Sequence, residues 1–160
     1  MLKLIVFDLD GTLAPSKSQM DDEMSLLLGR LLEKISVAVI SGGSYAQFQK
    51  QFLASLNCEK ELLKNLFLFP TCSTAFYRFE NDWKEIYAEK LTKEEKTKIF
   101  EAFEKALEIT DFKVANPYGE IIEDRESQIT FSALGQLAPL ELKKEWDPDT
   151  KKRLRIKEEL

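Results

Sequence analysis

The sequence predicts an α/β protein, with a parallel sheet and crossover helices first and an α+β part with antiparallel strands after it. Three observations carry this reading. Leu4–Phe7, Val37–Ile40 and Leu66–Phe69 are short continuous apolar runs, the pattern of strands buried on both faces of a parallel sheet. Segments of helical period separate them. Beyond about residue 75 the pattern changes to alternating runs joined by hairpin signals.

In chain order, the first strand ends in Asp8 and Asp10, and a loop follows over residues 14–17. Ser18, with Asp21 three residues on, signals a helix start. Met24, Leu27, Leu28, Leu31, Leu32 and Ile35 then form one apolar stripe, expected to cover a face of the sheet. The second strand runs into Ser41-Gly42-Gly43-Ser44. There Ser44 and Gln47 make a capping box, and Phe48, Phe52 and Leu56 mark the buried side of the next helix. Strand, helix, strand implies right-handed parallel crossovers, so the first seventy residues read as half of a doubly wound sheet.

In the second part, Asn81-Asp82 is a two-residue hairpin signal between runs 75–80 and 83–88. Thr92 and Glu95 cap a helix whose buried side is Ile99, Phe103, Ala106 and Leu107. Residues 120–125 and 128–134 read as another hairpin, and Asp147-Pro148 as the start of a last helix. The expected division is 1–75 and 76–160. A fourth parallel strand is missing from the pattern, and the chain is expected to be an incomplete copy of its fold.

Composition narrows the chemistry. A chain of 160 residues can bury roughly 68–70% of its unfolded surface, so it needs no staples. The net charge of −5, with no cluster of Lys and Arg dominating one element, argues against a nucleic-acid surface. Cys58 and Cys72 have neither metal spacing nor a disulfide framework, which points to a reduced, cytoplasmic setting. No apolar run approaches the roughly 18 residues of a membrane span, and the N-terminus is too short and too acidic for a signal peptide. Histidine is absent. That excludes Ser-His-Asp hydrolases, Cys-His proteases, histidine phosphatases and most zinc enzymes, and it leaves acid–base and covalent work to carboxylates, Lys, Tyr, Cys or a metal.

Against that background, Asp8 and Asp10 stand out. Ligands of open α/β sheets bind at the carboxyl ends of the strands, where both aspartates fall; by themselves they read first as strand-ending turn formers. The full string Asp8-Leu9-Asp10-Gly11-Thr12-Leu13 after a buried strand resembles the first motif of the haloacid dehalogenase superfamily of phosphotransferases. Beside it, Ser41-Gly42-Gly43 resembles the second motif. The resemblance implies a Rossmann-like core, of which this chain carries the N-terminal half, with an inserted α+β cap. Asp8 would attack a phosphoryl group to form an aspartyl-phosphate, and Asp10 would act as acid and then base. Ser41, whose strand end places it beside Asp8, would bind phosphate together with Gly11, Thr12, Gly42, Gly43 and Lys17. Two carboxylates facing a phosphate call for a hard cation. Mg²⁺ suits that role, held by Asp8, by Asp10 through its backbone carbonyl, and by waters.

A narrower resemblance lies in the second part. Ile121-Ile122-Glu123-Asp124-Arg125 followed by residues 128–135 is similar to the cap hairpin of eukaryotic-type phosphomannomutases. It implies a small phosphosugar substrate, with Arg125 holding its distal phosphate, and a homodimer through the cap. The alternative for Arg125 is an ion pair with Glu123 or Asp124. Gln136 stands where that family has a second arginine, and Lys143 lies nearest a third basic position. Lysine lacks the bidentate fork, so a phosphatase is favoured over a true mutase. The motif-three lysine and motif-four acidic cluster are absent. A second class of function therefore stays open: a non-catalytic module that binds phosphosugars or a partner. A receiver-type domain also uses a strand-end aspartate and Mg²⁺, but the antiparallel second part does not suit it.

Overall fold

The computed structural model describes residues 2–16 and 18–160. The chain forms two compact units, Met1–Glu89 and Lys90–Leu160. The first contains β1 (Leu4–Asp8), α1 (Asp22–Leu32), β2 (Ser36–Ile40), α2 (Tyr45–Phe48, running on as a π-helical turn over Gln49–Leu53), β3 (Leu66–Phe69), β4 (Ala75–Phe79) and β5 (Trp83–Ala88). One sheet holds these strands in the order β1-β2-β3-β4-β5. The first three are parallel, and the β4–β5 hairpin adds antiparallel to β3.

Register explains where the core sits. Phe7, Val39 and Leu68 are level across the three parallel strands, as are Val6, Ala38 and Phe67. The row of Val37, Val39, Leu66 and Leu68, all fully buried, packs with Leu28 and Leu32 of α1 and with Phe48 and Phe52. Both crossover helices thus cover the same face, as successive right-handed connections in one direction require. On the other face, Phe76 stacks on Phe69 at 4.6 Å between ring centroids and meets Tyr87 at 5.8 Å. The expectation of a first strand buried on both faces is corrected here. Leu4 is 42% and Val6 54% exposed, because β1 is an edge strand and both crossover helices of this unit lie on the opposite face.

Other boundaries shift for local reasons. The first cap of α1 is Asp21, which accepts the Met24 amide at 2.8 Å, and not Ser18. The helix also turns Leu27 outward and buries Ser25, whose hydroxyl accepts the Asn57 amide. The capping box of Ser44 and Gln47 forms as expected. Between β4 and β5 the loop takes three residues instead of two, since Phe79 pairs with Trp83 and Glu80 N–H donates to the Asp82 carbonyl. This hairpin, expected with the second part, belongs to the first sheet.

In Lys90–Leu160, α3 (Lys93–Ile109) starts at the Thr92–Glu95 capping box, as the sequence leads one to expect, and buries Phe103 and Ala106. β6 (Ile122–Asp124) and β7 (Ile129–Phe131) pair antiparallel, each shorter than expected. Phe103 and Phe112 meet Phe131 at 5.7 and 5.6 Å. Gly135 permits a close chain approach: a Cβ there would lie 2.3 Å from the Tyr118 carbonyl oxygen. A helix that sequence periodicity misses, α4 (Leu140–Trp146), precedes α5 (Lys151–Glu158). α5 begins later than the Asp147-Pro148 signal. The carboxylate of Asp147, 2% exposed, still caps it from outside, accepting the amides of Lys152 and Arg153 at 3.0 Å each. No helix among the described residues is long and apolar enough to cross a membrane.

Candidate active site

The site is built from the ends of β1, β2 and β3. β1 delivers Asp8, exposed, at its carboxyl end. A tight turn follows, in which the amides of Thr12, Leu13 and Ala14 converge on the Leu9 carbonyl at 3.1–3.3 Å. Gly11 N–H donates to the Ala14 carbonyl at 2.7 Å. Leu9 and Leu13, 1% and 5% exposed, anchor the turn to the core, leaving Gly11 and Thr12 between them exposed and Asp10 half-buried. Gly11 has a φ of +86° with no atom within 4 Å of a would-be Cβ; the conformation, not space, demands glycine there. Thr12 Oγ1 reaches Asp8 Oδ2 at 3.4 Å.

β2 delivers Ser41, 4% exposed. Its hydroxyl donates to Asp10 Oδ2 at 3.1 Å and accepts the Gly43 amide at 3.1 Å. The expectation that Ser41 stands beside Asp8 is thereby sharpened: its contact is with Asp10, and the Gly43 amide is turned to Ser41. Lys17 lies outside the described residues.

β3 delivers residues that sequence reasoning passes over. Thr71, Cys72 and Ser73 follow it with φ of +49°, +56° and +70°, three consecutive non-glycine residues in the left-handed region, where each costs about 1–2 kcal/mol. Thr71 N–H donates to the Gly43 carbonyl at 2.9 Å, and Cys72 N–H to the Ser41 carbonyl at 3.0 Å. The polar string Thr71-Cys72-Ser73-Thr74 right after an apolar strand is the one signal that could have found them.

The donor set suits a cation that keeps its own waters. Among the described residues no group of three or more His, Cys, Asp or Glu could cage a metal. Mg²⁺ needs less: one or two carboxylates plus substrate oxygens and water, and exposed Asp8 with Asp10 two residues on is such a pair.

Within the second unit, Arg125 and Glu123 form the ion pair that the sequence offered as the alternative. Arg125 Nε and Nη2 donate to Glu123 Oε2 at 2.8 and 2.6 Å, with the arginine side chain 7% exposed. Gln136 Oε1 lies 3.5 Å from Arg125 Nη2, and Lys143 Nζ donates to the Gln136 carbonyl at 3.0 Å. The three positions singled out from sequence are therefore brought together. Asp124 pairs instead with Lys96 at 2.8 Å. Burial would raise its carboxyl, but the Lys96 ammonium and the Glu126 amide outweigh that and hold it below the usual carboxylate range.

Three parallel strands with the β4–β5 hairpin added antiparallel, and an aspartate pair and a serine at the strand ends, make a fold shared with several solved structures. Solved structures similar to it include the Plasmodium falciparum IMP-nucleotidase, with a TM-score of 0.65 and 22% identity over 99% of this chain and 47% of that one. A haloacid dehalogenase-like hydrolase from Bacteroides thetaiotaomicron aligns with a TM-score of 0.53 and 24% identity over 66% of this chain and 38% of that one. Over 48 residues, 30% of this chain and 18% of the relative, the sequence is 35% identical to phosphomannomutase 1 of Mus musculus. The Homo sapiens phosphomannomutase 1 matches over the same length at 33% identity. The chain spans less than half the length of these relatives. No protein-family model matches it.

Proposed function

We propose that this chain carries the reacting carboxylates of a Mg²⁺-dependent phosphoryl transfer on a small phosphosugar, with phosphatase action favoured over mutase action. The observation that carries the reading is the Asp8–Asp10 pair on its Leu9-centred turn, with Ser41 Oγ on Asp10 at 3.1 Å. Asp8 attacks phosphorus, forming an Asp8 Oδ–P bond as the ester P–O bond breaks. Asp10 gives its proton to the leaving oxygen, then takes one from the water that displaces the Asp8 carboxylate and releases phosphate. The Ser41 hydroxyl fixes the orientation of the Asp10 carboxylate through both changes of state. Bound Mg²⁺ would neutralise charge on the transferred group; Asp8 and the Asp10 carbonyl are the residues to hold it.

Arg125 would hold the far end of the substrate. To do so it must exchange Glu123 for a phosphate, which the bidentate fork of arginine suits. A second substrate reading, a purine nucleoside monophosphate, is favoured by the likeness to the IMP-nucleotidase across 99% of the chain; both substrates are phosphate esters of a sugar. The chain as a binding module without turnover is the competing class.

The test uses the 160-residue chain with mannose 6-phosphate, mannose 1-phosphate and IMP, with Mg²⁺ and with EDTA. Phosphate release that needs Mg²⁺ and is lost in Asp8→Asn supports the proposal, and the preferred ester names the substrate class. Thermal stabilisation by the same esters without release favours the binding module. Release that is unchanged in Asp8→Asn contradicts the aspartyl-phosphate route.

A further inference from the structure

The left-handed turn after β3 belongs to no part of the mechanism above, yet it costs conformational energy and has two hydrogen bonds into the loop that carries Ser41. We infer that Thr71–Ser73 is a positioning segment: the turn holds the Ser41–Gly43 loop so that the Ser41 hydroxyl meets Asp10. This rests on the functional reading above only for its catalytic consequence.

Three facts carry it. Residues in sparsely populated backbone conformations persist only where surrounding bonds over-determine them, and this turn is bound on two sides. Toward β2, Thr71 N–H and Cys72 N–H donate to the Gly43 and Ser41 carbonyls at 2.9 and 3.0 Å. Toward β5, Tyr87 Oη donates to the Ser73 carbonyl at 3.1 Å and Glu89 N–H to the Thr74 carbonyl at 2.8 Å. The Thr74 hydroxyl closes the turn on Thr71, at 2.7 Å from its carbonyl and 2.8 Å from its Oγ1. Moving Cys72 to ordinary backbone angles would redirect the chain from Ser73 onward, which Tyr87 and Glu89 hold, and so would pull the Cys72 amide from Ser41, whose side chain accepts the Gly43 amide and donates to Asp10. The carbonyls of both ends of the Ser41–Gly43 loop are thus held from β3, while its side chain addresses β1.

Cys72 is exposed, and asparagine and valine there differ most in their tolerance for the left-handed region. Asparagine enters it readily and β-branched valine does not. In Cys72→Val, amide hydrogen exchange at residue 72 and at Gly43 accelerates by about tenfold or more, and kcat for phosphate release falls about tenfold while KM changes less than about twofold. Cys72→Asn retains wild-type exchange and kcat. Faster exchange at residue 72 with Gly43 unchanged overturns the inference, as does a valine variant that alters neither. If Cys72→Val does not fold, Cys72→Thr, β-branched like valine but polar, is read by the same two amides. A wild-type chain without turnover removes the proposed catalytic role but not the exchange test, which reads the Ser41 loop alone.

Discussion

In Met1–Glu89 most of the buried side chains are aliphatic or aromatic, with Val37, Val39, Leu66, Leu68, Phe48 and Phe52 fully enclosed, and Ser25, Ser41 and Thr71 are buried beside them. In Lys90–Leu160 the buried side chains are fewer: Phe103, Ala106, Ala138, Ile156 and Asp147. The first unit is held by apolar area removed from water. The second leans on polar ties: a capping box at Thr92, the half-buried Arg125–Glu123 pair, Lys96 on Asp124, and Asp147 on two amides of α5. An apolar core specifies its partners by volume, whereas polar ties fail when one partner is removed or titrated.

The contrast between the two units is tested most severely by emptying the apolar core of the first. Phe52→Ala, at a fully buried position in edge contact with Phe48, is expected to cost about 3–5 kcal/mol of unfolding free energy in a urea titration. Phe103→Ala, at 9% exposure in a thinner core, is expected to cost less; an equal or larger loss would remove the contrast. Asp147→Ala leaves two amides of α5 without their acceptor and is expected to cost about 1–3 kcal/mol, read in the same titration. Asp147→Asn, which keeps an acceptor, is expected to recover part of it.

The smallest effect concerns acid. The Asp124 carboxyl is held below its ordinary range in the folded state. Such a group contributes stability above its unfolded pKa, near 3.9, that is lost as the pH falls through the lower folded value. Stability of the wild type should therefore decline on the acid side of that range. Lys96→Met, lacking the ammonium that depresses Asp124, should decline less steeply there and match the wild-type slope near neutrality.

What could be read from sequence was local. Thr92–Glu95 and Ser44–Gln47 are capping signals within four residues, and both form. The Asp8–Leu13 string marked the turn that the structure builds around Leu9. The uncovered face of β1 was not legible, because burial depends on which side later helices choose, and both chose the same one. Nor was the Ser41–Asp10 contact, which joins residues 31 apart in sequence. Asp147 illustrates an intermediate case: its capping role was legible, but Thr150, at φ +61°, stands before a helix that starts only at Lys151, so the carboxylate reaches forward to Lys152 and Arg153. The left-handed turn at Thr71–Ser73 contains no glycine or asparagine to announce it.

The central claim is covalent chemistry at Asp8. The most direct measurement quenches the chain in acid during turnover of a phosphate ester with Mg²⁺, digests it, and locates phosphoryl groups by mass spectrometry. A phosphoryl adduct on the peptide at Asp8, absent in Asp8→Asn and accumulating in Asp10→Asn when its hydrolysis by water loses the base, is the predicted result. Turnover with no adduct at Asp8, unchanged in Asp8→Asn, would contradict the account.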